Sequence, residues 1–180
     1  ENNFLGILLM SKPGRVLEKE YDDDKNDIGE YVGEFKDDKR HGEGKMTYTN
    51  GKFKDQVYAG NWKDDKKDGF GILRLPGVAF YEGEWKNDKQ HGKGICKYNN
   101  GIMYEGDYKD GQRHGEGTYS YSGKIYTGSW KDDKKDGYGK MIYDHSTYEG
   151  EWKDSKEHGG GKRESINGHM YEGEWKNGKE

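Results

Sequence analysis

The chain has 180 residues, of which 28% are hydrophobic and 37% are charged, with a formal net charge of −4. This balance and a pI of about 5.9 exclude a general electrostatic attraction to nucleic acid or anionic lipid. The single cysteine, Cys96, excludes an intramolecular disulfide and fits a reducing compartment.

Residues 1–29 lie outside the regular pattern that follows them. They contain the longest apolar run of the chain, residues 4–10. We expect this segment to cap the open edge of the first repeat, because stacked-repeat proteins need protected ends. A docking segment for a partner is the alternative. Residues 22–27 begin like a calcium loop, but Asp27 and Gly33 stand where such a loop needs Gly and Glu, so we expect a solvated linker.

From residue 31 onward one pattern recurs: Tyr-x-Gly-x-Trp, a polar turn, and then His/Asp-Gly-x-Gly. A fixed period in the low twenties is typical of stacked repeats, in which each unit buries its apolar face only against its neighbours. The first tyrosines of the units are Tyr31, Tyr58, Tyr81, Tyr104, Tyr126, Tyr148 and Tyr171. The wider first interval predicts a longer loop near residues 52–56.

Each repeat has the pattern of a β-hairpin. Residues 81–85 alternate apolar or glycine positions with charged ones, which predicts a strand with one packed face. Asn87-Asp88 then stand at a two-residue loop, where type I′ turns demand the positive φ that Asn, Asp and Gly tolerate. The equivalent pairs are Asp37-Asp38, Asp64-Asp65, Asp110-Gly111, Asp132-Asp133, Asp154-Ser155 and Asn177-Gly178.

Fixing the loop at two residues also predicts the strand register. Tyr81 should face Gly94 and Gly83 should face Gly92, so that a large ring lies flat across a backbone without side chains. On the opposite face, the His or Asp that opens the second strand should meet an acid or a neutral polar group. The predicted pairs are Glu84 with His91, Glu34 with His41, Asn61 with Asp68, Asp107 with His114, Ser129 with Asp136 and Glu151 with His158.

These observations predict an all-β fold, an elongated single-layer antiparallel β-hairpin solenoid. Residues 30–180 would form six hairpin repeats and a seventh half repeat, after a capping or docking segment at residues 1–29. One layer should leave the ring-bearing face only partly covered, as an aromatic groove for a partner segment. The residues predicted to line this groove are Trp62, Leu75, Trp85, Tyr98, Tyr108, Tyr121, Trp130, Tyr143 and Trp152.

The sequence predicts no catalytic, cofactor or metal site. Repeated histidines should stack about 10 Å apart, too far to share a zinc ion that needs ligands at about 2 Å. Cys96 lies in the packed row without a histidine in register, which disfavours a nucleophile. The glycines lie in strands and lack the following helix of a phosphate loop.

The pattern over residues 31–180 resembles the MORN repeat (membrane occupation and recognition nexus). Phe35 and Tyr108 replace its Trp, while Asp68 and Asp136 replace its His. The resemblance implies an antiparallel β-solenoid without catalytic residues. Such arrays occur in scaffolds of cilia and parasite cytoskeletons, ankyrin-bound helix clamps, junctional membrane tethers and regulatory parts of lipid kinases. The lead-in at residues 26–31 is similar to that of radial spoke head proteins of the ciliary axoneme.

We therefore expect a non-enzymatic scaffold that binds helical or extended segments of other proteins, including cytoskeletal or axonemal subunits. The expected location is the cytoplasm and its cytoskeleton, in a cilium or flagellum axoneme. The alternative is a peripheral phospholipid-binding or lipid-kinase regulatory module that uses the lysines at the turns. A homodimer is left open, and nucleic acid is not expected as a partner.

Overall fold

A computed structural model describes residues 16–21 and 27–180. The apolar run at residues 4–10 and most of the calcium-like segment at residues 22–27 lie outside these ranges. Two units, Glu1–Gln90 and His91–Glu180, divide the chain, and each is described by itself. In the residues described, both units consist of a single layer of antiparallel hairpins, which confirms the predicted fold class.

The strands follow one another in chain order, and each of those named here pairs with the next. The first unit contains β1 (Val16–Tyr21), β2 (Asp27–Lys36), β3 (Lys39–Tyr48), β4 (Val57–Lys63), β5 (Lys66–Leu75) and β6 (Ala79–Lys86). A short 3-10 helix, Gly51–Phe53, lies in the predicted longer loop between β3 and β4. Because β1 pairs with β2, the edge of the first repeat is occupied, although the capping role of the whole segment stays a prediction.

The second unit continues the same arrangement. β7 (Lys89–Tyr98) lies at the boundary between the units. It is followed by β8 (Met103–Lys109), β9 (Gln112–Tyr121), β10 (Lys124–Lys131), β11 (Lys134–Ile142), β12 (Ser146–Lys153), β13 (Lys156–Ser165) and β14 (Met170–Trp175). Antiparallel pairing connects each strand from β7 to β14 with the next.

The predicted two-residue turns are confirmed. Asp64 and Asp65 have φ values of 49° and 68°, and Asp132 and Asp133 have 48° and 68°. Both central residues of a type I′ turn require such positive values. The residue types at the loop therefore fix where each strand reverses.

The predicted register is correct beside the turn and wrong beyond it. Glu34 faces His41 as predicted, but Gly33 then faces Gly44, and Tyr31 faces Met46 instead of Gly44. Two residues of the second strand are bulged out, and the same shift occurs in the hairpins β4–β5, β8–β9, β10–β11 and β12–β13. A slip of two residues keeps every side chain on its predicted face, so the alternation of polar and apolar residues could not reveal it.

The bulge brings two glycines face to face beneath one tyrosine ring. The Tyr126 ring lies against Gly139, whose Cα is opposite Gly128. Its hydroxyl donates a hydrogen bond to the Ser129 carbonyl at 2.9 Å. The prediction of a ring lying on glycine backbone is thus correct, although the ring lies diagonally and not over its cross-strand partner.

Indole rings join consecutive hairpins into one row. The Tyr126 ring packs edge-on against Trp130 of its own strand and Trp152 of the next hairpin, with both centroid distances 5.2 Å. Trp130 Nε1 also donates a hydrogen bond to the Gly117 carbonyl of the preceding hairpin at 3.1 Å. The tyrosines at these positions, from Tyr31 to Tyr148, are at most 2% exposed, so they form the core of each unit.

We predict that Gly139→Ala lowers the free energy of unfolding by about 1–3 kcal/mol, because a Cβ there collides with the Tyr126 ring. Gly160→Ala is the matched control, since its Cβ meets only a Glu151 carboxylate oxygen at 3.9 Å. The measurement is urea unfolding followed by tryptophan fluorescence. Equal midpoints for the two variants would contradict the ring-on-glycine account of the core.

Candidate functional site

Cationic side chains cover the ring-bearing face. The Arg113 guanidinium carbon lies 4.4 Å from the Trp130 ring centroid and 5.8 Å from that of Tyr104. Lys135 Nζ lies 4.6 Å and 4.8 Å from the centroids of Trp152 and Tyr126. Cation–π attraction and the apolar stems of these side chains both favour this arrangement. The same cover is formed by Arg40 over Tyr31 and Trp62, and by Lys67 over Tyr58 and Trp85.

Sequence reasoning missed this cover, although a signal for it exists. The residue immediately before the His or Asp that opens the second strand is Arg40, Lys67, Arg113 or Lys135 in four of the six repeats. In an antiparallel pair this position lies on the ring-bearing face, opposite the Trp position, as the pair Trp130–Lys135 shows. A cation that recurs on an otherwise apolar face could therefore have predicted the cover.

The structure therefore corrects the expectation of an open aromatic groove. Five of the nine predicted lining residues are buried, at 3–7% exposure: Trp62, Trp85, Tyr108, Trp130 and Trp152. Leu75, Tyr121 and Tyr143 are half-buried, and Tyr98 is 44% exposed. Binding of a partner by this set stays a prediction, but the tryptophans face their own cations and not solvent.

The turn of the next hairpin holds the backbone of each of these four residues, and it also holds the side chains of the two arginines. Arg113 donates from its backbone N and its Nε to Asp133 Oδ1, at 3.1 Å and 3.0 Å. In return, the Asp133 backbone N donates to the Arg113 carbonyl at 3.0 Å. Arg40 and Asp65 repeat this reciprocal arrangement in the first unit. The turn residues thus close the hairpin, and in the two arginine repeats they also fix the guanidinium over the rings.

In the sixth repeat the covering cation comes from a different strand position. Glu157 occupies the place of Lys135 and is only 5% exposed. It forms an ion pair with Arg163 and accepts a hydrogen bond from the Tyr143 hydroxyl at 2.8 Å. The Arg163 guanidinium carbon lies 4.6 Å from the Trp175 ring centroid. The rings are therefore covered by a cation from a different strand position.

Burial shifts the pKa values of this layer. Desolvation lowers the pKa of Lys135 to about 8 and also lowers that of Lys67. Desolvation raises the pKa of Tyr148 to about 12, and it raises the pKa values of Tyr104 and Tyr126 as well. The ring layer is thus a poorly hydrated environment in which neutral side chains are favoured.

The histidines contact the next turn. His114 Nδ1 lies 3.4 Å from Asp132 Oδ1, and His41 Nδ1 lies 3.6 Å from Asp64 Oδ1. The acid predicted opposite His114 is Asp107, which accepts hydrogen bonds from the Glu116 backbone N at 2.9 Å and from Lys93 Nζ at 2.6 Å. In the described part of the chain, no three His, Cys, Asp or Glu side chains gather as a metal site would require.

Comparison with known families identifies the repeat. The family model for the MORN repeat matches residues 31–53, 58–77, 81–103, 104–123, 126–144, 148–170 and 171–180. The chain belongs to the MORN-repeat family. Each match begins at one of the seven tyrosines with which the predicted repeats begin. Comparison with curated proteins found no match.

Family membership gives the class of function. MORN repeats are structural repeats that act as interaction modules for other proteins or for membranes. Within the ranges that the structure describes, no helix has the length and apolar character to cross a bilayer.

We predict that Arg163→Met lowers the free energy of unfolding by about 2–3 kcal/mol, because it leaves the buried Glu157 carboxylate without its cation. The double variant Glu157→Lys/Arg163→Met should recover most of this loss, since the fifth MORN repeat has Lys135 and Met141 at the same positions. Urea unfolding measures both. The exposed Lys162→Met is the control, with a change within about 0.5 kcal/mol. A double variant no more stable than Arg163→Met would contradict the exchange.

A second prediction concerns pH. Desolvation lowers the pKa of Lys135 to about 8. Between about pH 8 and pH 10 this side chain is therefore deprotonated in the folded chain and protonated in the unfolded chain. Its contribution to the free energy of unfolding rises with pH over this range. Buried tyrosines such as Tyr148 have raised pKa values. They therefore lower stability above about pH 10, by about 1.4 kcal/mol per pH unit for each tyrosine involved. We expect the urea midpoint to fall steeply only above about pH 10.

The control for this pH profile is Lys135→Arg, which keeps the cation but removes its titration. It should abolish the contribution between about pH 8 and pH 10 while leaving the alkaline fall intact. A wild-type midpoint that already falls from pH 8 would show that desolvation of Lys135 does not govern this range.

Proposed function

We propose that this MORN array is a non-enzymatic scaffold whose second unit binds amphipathic helices of partner proteins. The proposed surface is the tyrosine row, which we define as Tyr98, Tyr121 and Tyr143. The observation that carries the proposal is that Arg113 and Lys135 close off the tryptophans, whereas Tyr98 is 44% exposed and Tyr121 and Tyr143 are half-buried. Tyrosine has an apolar body and a polar tip, which suits a partly hydrated interface.

The spacing of the tyrosine row favours a helix over an extended peptide. Tyr98 and Tyr121 end β7 and β9, and Tyr143 comes directly after β11, so successive rings are one hairpin apart. Strands about 4.7–4.9 Å apart give a ring spacing of about 9–10 Å. Residues seven apart on a helix are separated by about 10.5 Å, whereas alternate residues of an extended peptide are about 6.6–6.8 Å apart. A heptad-spaced apolar face therefore fits the row.

The lysines at the turns give little support to the membrane alternative. Lys134 Nζ lies 2.6 Å from Asp154 Oδ1, and Lys153 Nζ lies 3.2 Å from Asp136 Oδ2. Anionic lipid would have to compete with these carboxylates, and the surrounding acidic residues oppose its approach. We therefore propose a protein partner, and lipid binding becomes an outcome of the test.

Within this proposal we assign the scaffold to a cytoskeletal assembly, specifically a ciliary axoneme with a radial-spoke-like role. What supports the assignment is the similarity of residues 26–31 to the lead-in of radial spoke head proteins. A homodimer and axonemal subunits are the partners that this assignment proposes. Imaging of the tagged full chain in ciliated cells tests the location.

The binding test uses a displayed library of amphipathic helical peptides selected against the full chain. We expect Tyr98→Ala/Tyr121→Ala to weaken the selected peptides at least tenfold, because two aromatic anchors are lost. The control is Tyr138→Ala, which removes an exposed ring from the opposite face. Unchanged affinity in the double variant would refute the tyrosine row. Salt-sensitive binding of the unmodified chain to anionic vesicles would favour the membrane alternative.

A further inference from the structure

On the face opposite the rings, one cross-strand row follows a charge rule. The row joins the third residue of each His/Asp-Gly-x-Gly segment to its Cα partner on the following strand. Its members are Glu43–Asn61, Phe70–Glu84, Lys93–Asp107, Glu116–Ser129, Tyr138–Glu151 and Gly160–Glu174. An acid never faces an acid in this row, which agrees with the cost of like charges placed directly opposite.

Two pairs of the row show how a carboxylate here is satisfied within the chain. Lys93 Nζ lies 2.6 Å from Asp107 Oδ1. Glu116 Oε1 accepts a hydrogen bond from Ser129 Oγ at 2.7 Å. The position on the earlier strand can therefore supply a cation to the acid on the later strand, and in the third repeat it does so.

In the second and fifth repeats an aromatic ring stands where Lys93 supplies that cation. Phe70 is 52% exposed and faces Glu84, and Tyr138 is 59% exposed and faces Glu151. The Tyr138 hydroxyl also donates a hydrogen bond to Glu149 Oε1 at 3.4 Å. Each pair thus combines an exposed ring with a glutamate at its cross-strand partner.

The two places are built from nearly the same segment. Residues 62–71 and 130–139 are identical except for Phe70 and Tyr138. Their bulge glycines, Gly69 and Gly137, have φ values of 100° and 108°, a region that favours glycine. Each unit of the chain therefore contains one copy of the same local structure.

We propose that Phe70–Glu84 and Tyr138–Glu151 are two equivalent docking points for a basic segment of a partner protein. Each point takes a Lys or Arg side chain, whose charge lies on the ring face and against the carboxylate. The exposed ring and the facing glutamate are the two features of each point that attract the cation. The proposal is independent of the tyrosine row, because it concerns the opposite face of the sheet.

The chemistry of these points selects a cationic protein segment. A ring face and a carboxylate both attract positive charge, and the carboxylate repels a phosphate. Other acids accompany each pair, Glu82 beside Glu84 and Glu149 beside Glu151, although Glu149 also pairs with Lys140 at 3.2 Å. With one point in each unit, a partner that has two basic segments gains affinity from binding both, provided its linker allows it.

The test is an NMR titration of the full chain with an amidated peptide of alternating lysine and serine. We expect separate shift changes at the Phe70 and Tyr138 rings, which report two sites per chain. Glu151→Gln should weaken the Tyr138 site about two- to fivefold and leave the Phe70 site unchanged, and Glu84→Gln should do the reverse. Tyr138→Phe should retain binding, because the ring face remains.

Three results would overturn the proposal. The first is an equal response to a matched glutamate–serine peptide, and the second is unchanged peptide affinity in Glu84→Gln and Glu151→Gln. The third is binding to phosphatidylcholine vesicles that is lost in Tyr138→Ala, which would assign the ring to a choline headgroup in a membrane. Phe53→Ala removes an exposed ring from the loop between β3 and β4, so it should leave peptide binding unchanged.

Discussion

The fold depends on a tyrosine ring lying flat on two glycines that face each other across a hairpin. Tyr126 requires Gly128 and Gly139 at this place, because a Cβ on Gly139 would collide with the ring. The two-residue bulge brings those glycines opposite each other, and the ring then reaches the tryptophans of its own and the next hairpin. Without this contact a single layer has no second surface against which to bury its aromatic side chains.

The cations complete the core that the rings form. A one-layer sheet leaves the outer side of its ring row exposed, and Arg113 or Lys135 closes it. The next turn holds the Arg113 side chain and backbone, and it holds Lys135 through the backbone. The sixth repeat shows that the covering cation can come from more than one strand position. There Glu157 stands at the position of Lys135 and pairs with Arg163, whose guanidinium lies over Trp175. The cover is therefore part of the core and unsuitable as a general partner site.

Local chemistry explains which parts of the structure the sequence could predict. Turn pairs such as Asp132-Asp133 and the alternation along each strand determine the hairpins, because both depend on neighbouring residues. The bulge was not predictable, since a shift of two residues leaves every side chain on the same face. The burial of Trp130 and Trp152 was also missed, although the Arg or Lys that precedes the second-strand His or Asp in four of the six repeats was a signal for it. The partner, the cellular location and the role of the tyrosine row stay proposals.

Function in such an array must lie at positions that packing leaves free. The core tyrosine, the facing glycines and the turn pair are determined by the hairpin, so they recur in each repeat and distinguish none of them. Tyr98 and Tyr138 are not constrained in this way. Tyr98 is the last residue of β7 and is partly exposed, and Tyr138 lies on the face opposite the rings. Because the sheet separates the two faces, a helix on one and a basic segment on the other do not compete for the same atoms. A single layer can thus connect two partners, one on each face. In a domain of two packed layers, one face of each sheet is buried and cannot bind a partner.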